Sequence, residues 1–149
     1  MRKCLKISFV LIFFLILSLF IKVELDDFFM NTIYTVAGIM FSIGIGLVAT
    51  FSIHGVKNKS YIISIRKSLK EVRNSFILYF ALSTACYMLD KYISDAQLEM
   101  GFKITEGVRI EFNASLFILL IILYSIAYYI INFLALQKLN DDIFDSVNE

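Results

Sequence analysis

Apolar side chains along this chain fall into long blocks rather than alternating singly with polar ones. Leu5–Val23 carries no charge between Ile7 and Ile21, and Asn31–Ile53 and Ala114–Leu136 carry none at all. A further block, 75–91, is the shortest and is uncharged from Ser75 to Leu89. A helix rises about 1.5 Å per residue, so about 30 Å of hydrocarbon takes about 20 mostly apolar residues to cross. The blocks therefore predict an all-α integral membrane protein with four transmembrane helices, over about 5–23, 31–53, 75–91 and 114–136. Lys6 and Lys22 bracket the first and can extend their stems to the two interfaces. The third reaches spanning length by taking in Val72 or Ile93, or where the bilayer thins locally. The first also has the basic start and apolar stretch of a signal peptide. Phe20-Ile21-Lys22-Val23-Glu24 offers no small-x-small cleavage site, so it is expected to stay as an anchor.

The stretches between the blocks are patterned too. Ile62, Ile65, Leu69, Val72 and Phe76 are spaced 3, 4, 3, 4, the seam of a helix packed along one side. With no proline to interrupt it, one long helix is expected from about Ser60 to Leu89, its basic first part (57–74) in the cytosol. Leu136, Leu139, Ile143 and Val147 predict that the fourth helix continues into the cytosol beside Asp141, Asp142, Asp145 and Glu149, and then frays. That acidic tail is expected to pack on the basic helix. In the outer loop 90–113, Phe102-Lys103-Ile104 and Val108-Arg109-Ile110 alternate as a β-hairpin does. A three-residue loop with Gly107 at positive φ is expected to pair Ile104 with Val108 and Phe102 with Ile110.

Composition and charge sharpen this outline. At 59% hydrophobic and 18% charged, the chain departs from the roughly 45–50% and 25% of globular proteins, which excludes disorder and an ordinary soluble enzyme. The net charge of +1 conceals a segregation. Ten of the 14 Lys and Arg precede the first block, lie between the second and third, or follow the fourth, and eight of the 13 acids lie in the other loops. The excess of cations is expected to place both termini in the cytosol. Cys4 and Cys86 lie near opposite ends of their helices, which argues against an internal disulfide. Asn58-Lys59-Ser60 and Asn113-Ala114-Ser115 match the glycosylation pattern, but the first is expected in the cytosol and the second touches the membrane, so both are set aside.

Chemistry is sparse. No block holds a mid-membrane Asp, Glu, Lys or Arg, which speaks against an ion-coupled carrier. No nucleotide, zinc-hydrolase or nucleophile-elbow motif occurs, so no enzyme activity, cofactor or metal is expected, and nothing signals nucleic acid. His54, alone at an interface, reads as a polar anchor. Gly38, Ser42, Gly46 and Thr50 recur every four residues and form a candidate helix-packing seam, either within the chain or between copies in a homo-oligomer. Ser42, Thr50, Ser125 and Asn132 are candidate pore-lining groups, with interhelical hydrogen bonding as the alternative. Arg66, Lys67, Lys70 and Arg73 form a basic face. Retention of the loop in the cytosol accounts for them, as does binding of anionic headgroups or of an acidic or phosphorylated cytosolic partner.

The order of basic start, Gly/Ser-rich second helix (Tyr34-Thr35-Val36-Ala37-Gly38-Ile39-Met40), basic cytosolic helix, outer loop and fourth helix ending in Phe133-Leu134-Ala135-Leu136-Gln137-Lys138-Leu139-Asn140 has a counterpart. In layout it resembles the small four-span membrane proteins of bacterial and prophage antiviral defence, such as RexB-like phage-exclusion channels and the membrane subunit of Kiwa systems. The resemblance implies an oligomer that perturbs ion permeability, or senses membrane insult, together with a cytosolic partner. A non-conducting anchor that recruits a soluble partner, and an accessory subunit of a transporter, are the alternatives.

Overall fold

The structure, a computed structural model, describes residues 2–21, 23, 25–53, 58–95, 101–105 and 108–148, with side chains over 8–21, 23, 25–53, 58–93 and 112–145. Its elements are helices α1 (Arg2–Phe20), α2 (Asp27–Thr50) and α3 (Lys59–Asp95), strands β1 (Gly101–Thr105) and β2 (Val108–Glu111), and helix α4 (Ala114–Asn148). Neither α3, at 37 residues, nor α4, at 35, contains glycine or proline, so nothing in either sequence breaks it.

The four-span expectation is corrected. Among the described residues, two helices are long and apolar enough to cross a membrane, Asp27–Thr50 and Ala114–Asp145. In α1 the described apolar stretch is only Ser8–Phe20. In α3 the charges at Arg73 and Asp90 confine the uncharged part to 74–89, short of a span. Only 11% of the α2 window is buried, unlike the core helix of a water-soluble protein. The second expected segment also shifts: α2 takes in Asp27 to Met30 and ends at Thr50, before Phe51-Ser52-Ile53.

Strands β1 and β2 pair antiparallel, with Phe102 opposite Ile110 and Lys103 opposite Arg109. Thr105, rather than the expected Ile104, stands opposite Val108. A register shift between Lys103 and Thr105 absorbs the odd residue, as a bulge does. Glu106 and Gly107, on which the expected loop turned, lie outside the described residues.

The chain divides into two compact units. Unit 1 comprises Met1–Tyr34 and Ser83–Leu123. Its buried residues include Ser18 of α1, Met30 of α2, Ser83, Cys86 and Asp90 of α3, and Leu116, Leu119 and Ile122 of α4. Asn113 ties α1 to the start of α4: its amide donates to Ser18 O (3.1 Å), Nδ2 donates to Val23 O (2.7 Å), and Oδ1 accepts from Leu116 N (2.9 Å). Unit 2 comprises Thr35–Leu82 and Tyr124–Glu149. Its centre is aromatic: Phe41 stacks on Phe80, and Phe76 meets Tyr129 edge to face with ring centroids 5.1 Å apart. Asn58 caps α3 through Oδ1, which accepts from Ser60 N (3.0 Å) and Tyr61 N (3.4 Å). Both asparagines of the glycosylation-like tripeptides therefore serve as helix N-caps.

Candidate functional site

On α2 the side that packs is not the expected stripe. Ala37 is fully buried, Phe41 stacks on Phe80, and a Cβ added to Gly44 would overlap the Phe76 ring. Gly44 is glycine because the Phe76 ring occupies the space of a side chain. Of the expected seam, Gly38 alone borders a neighbour, Phe80, at 3.8 Å from its virtual Cβ. Ser42, Gly46 and Thr50 are exposed, and nothing lies within 4 Å of the Gly46 virtual Cβ. A repeat of four turns about 40° per step around a helix of 3.6 residues per turn, so the stripe winds away from the packed side. The hydroxyls of Ser42 and Thr50 donate back to Gly38 O and Gly46 O, both at 2.9 Å.

The structure does not bring the four candidate pore-lining residues onto one surface. Ser125 is fully buried, and Asn132, half-buried, donates through Nδ2 to Tyr128 O at 2.8 Å. Both sit on a heptad seam of α4 of which the sequence predicts only the later part, Leu136, Leu139 and Ile143. Ile122, Tyr129, Leu136 and Ile143, all buried, recur every seven residues, with Ser125, Asn132 and Leu139 between them. The spacing was visible in the sequence but hidden by a helix apolar on every side.

On α3 the expected seam is present: Ile65 and Phe76 are buried, and Ile62, Leu69 and Val72 are half-buried. At the same alternating spacing it continues through Tyr79, Ser83, Cys86 and Asp90, the last three buried. The outward face changes with it. Arg66, Lys67, Lys70, Glu71 and Arg73 are exposed, and Ile77, Leu78, Leu82, Met88 and Leu89 are exposed beyond them. Among the described residues no ion pair joins Arg66, Lys67, Lys70 or Arg73 to the exposed tail acids Asp141, Asp142 and Asp145. Arg73 donates to Asn74 Oδ1 at 3.4 Å. His54, Lys57 and Glu149 lie outside the described residues, as do the side chains of Cys4 and Val147.

The start of α2 and the end of α3 are joined in unit 1 by a ladder with no precedent in the sequence reading. Lys91 Nζ donates to Asp27 Oδ1 at 2.7 Å, Tyr87 Oη donates to Asn31 Oδ1 at 3.4 Å, and the hydroxyls of Tyr34 and Thr84 bond at 2.9 Å. The rings of Tyr34 and Tyr87 stack at 4.3 Å. The hydrogen bond it donates to Asp27 raises the Lys91 pKa above its usual 10.5. Beside the ladder Asp90 is only 4% exposed, and its Oδ1 has no hydrogen-bond partner among the described residues. Cys86 is a free, buried thiol, and no group of three potential metal ligands occurs among the described residues.

The chain matches no family model, no curated protein and no solved structure.

Proposed function

We propose that the chain is a membrane-embedded effector or sensor that works as an assembly of several copies, in a bacterial inner membrane with its cationic segments toward the cytosol. The observation that supports this reading is the outer surface of α2. It is long and apolar enough to cross a bilayer, is little covered by the rest of the chain, and carries the open small-residue face Ser42-Gly46-Thr50. Without a hydrophobic drive between helices in lipid, close approach over small residues is a principal way for copies to associate. The resemblance in layout to phage-defence membrane proteins suggests the setting: a change in ion permeability, or a membrane signal passed to a soluble partner.

A second reading, a non-conducting anchor, is favoured by the fate of the polar groups. Ser125 and Asn132 are turned into the packed side of α4, and the Ser42 and Thr50 hydroxyls are engaged by their own helix. Oligomeric mass in mild detergent and ion flux in liposomes separate the two. The effector reading expects a multimer that Gly46→Leu dissociates, and a current that appears on challenge. A multimer with a tight bilayer under every stimulus selects the anchor, and a monomeric wild type removes the assembly.

A further inference from the structure

Resting on the membrane reading above, we propose that the outward face of α3 around Arg73 is a binding site for anionic phospholipid, with Arg66, Lys70 and Arg73 holding the phosphate headgroups and Ile77, Leu78 and Leu82 lying against the acyl chains. Arg66, Lys70 and Arg73 follow one another at 4 and 3 residues, so they form one stripe along the helix, and Lys67 lies beside it. All four are exposed, and among the described residues none is in an ion pair. Glu71 is the one exposed acid of α3 within the patch.

The stripe does not end at Arg73. Four residues on, and so about 6 Å along the axis, stands Ile77, 50% exposed, on the same stripe, while Leu78 at 67% and Leu82 at 44% lie further round the outward face, in line with Lys67 and Glu71. Cation gives way to hydrocarbon within one turn. A phospholipid presents its anion and its acyl chain in this same order. A soluble anion would satisfy the cations and leave Ile77, Leu78 and Leu82 bare to water, at about 25 cal/mol for each Å² of apolar surface.

The test uses the full chain in vesicles of phosphatidylcholine alone, or mixed equally with phosphatidylglycerol. Flotation is read first, and then the lipid that stays on the protein after mild detergent extraction, by native mass spectrometry. The expected result is flotation with both vesicles and retention of phosphatidylglycerol over phosphatidylcholine. R66Q/K70Q/R73Q should lower that retention by about fivefold per cation removed, equivalent to about 1 kcal/mol each. R66K/R73K, which keeps the charge, should retain most of it. Circular dichroism and protease digestion establish that each variant is folded and inserted in the same orientation. Equal retention of the two lipids overturns the proposal, as does a preference indifferent to the triple substitution. Displacement of phosphatidylglycerol by a poly-glutamate peptide, with the peptide bound more tightly, overturns it in favour of a soluble anionic partner. A chain that floats with neither vesicle overturns the membrane reading itself, which keeps the two failures distinct.

Discussion

From Ile62 to Phe76, α3 buries Ile65 and Phe76 and turns Arg66, Lys67, Lys70 and Arg73 outward; from Ser83 to Asp90 it buries Ser83, Cys86 and Asp90 and turns Met88 and Leu89 outward. Apart from Ile63, which is 68% exposed, the first half follows the rule of a helix in water, with apolar residues inside and charges outside. The second reverses it. In water the second half would leave its bulk of apolar surface solvated while hiding polar groups, and both carry a cost. Surroundings of low dielectric remove the first cost and make the buried Ser83 hydroxyl a usable contact between helices. On the membrane reading proposed above, the difference corresponds to a change of surroundings along one helix, between Arg73 and Ile77, although the uncharged part of α3 is too short to span. Asp90 goes beyond it. Its unpartnered oxygen is costly in either solvent, and no contact among the described residues accounts for it.

The largest expected effect falls where the two halves meet. Phe76 is fully buried against Tyr129, with the Tyr129 hydroxyl donating to its carbonyl at 3.4 Å. Phe76→Ala should cost about 3–5 kcal/mol in a detergent unfolding titration. Leu78→Asp tests the change of solvent: it should cost about 2.5–3.5 kcal/mol of insertion if Leu78 faces hydrocarbon, while Lys67→Asp should shift stability by about 0.5 kcal/mol or less. Equal, small costs for the two would erase the contrast. Gly44→Val should lose about 1–3 kcal/mol by overpacking against Phe76, whereas Gly46→Val should leave the unfolding of the single chain unchanged, as thermal melts of the two would show.

A smaller effect than that of Phe76, Leu78 or Gly44 concerns the ladder at the end of α3. The folded pKa of Lys91 is raised, so the Asp27 bond contributes fully below the usual lysine value of 10.5 and is lost as the pH rises through the folded value. Asp27 is 74% exposed along its side chain, so Asp27→Ala should cost no more than about 1 kcal/mol at neutral pH. That difference between wild type and variant should close in strongly alkaline melts.

Much of this was legible in the sequence, and the failures have physical causes. The seam from Ile62 to Phe76 declared itself because apolar residues at 3, 4 spacing stood among charges. Its continuation through Ser83, Cys86 and Asp90 did not, since polar residues on a buried seam look like an exposed face. The small-residue pattern on α2 was read at a spacing of four, which drifts around the helix; the packed side runs through Ala37, Phe41 and Gly44 instead. Four apolar blocks were read as four spans, but α1 and α3 offer apolar stretches too short, so α2 and α4 remain the candidates. The caps at Asn58 and Asn113 were present as residues and mistaken for irrelevant tripeptides, because an N-cap shows only once the helix start is known.

Cysteine accessibility along the outward face of α3 tests the change of solvent most directly. Single cysteines at positions 66, 70, 73, 77, 78, 82 and 88, with Cys4 and Cys86 replaced by serine, are reacted with a water-soluble maleimide in native membranes. Labelling should be rapid at 66, 70 and 73 and fall steeply at 77, 78, 82 and 88. Labelling at one rate from 66 through 88 would contradict it.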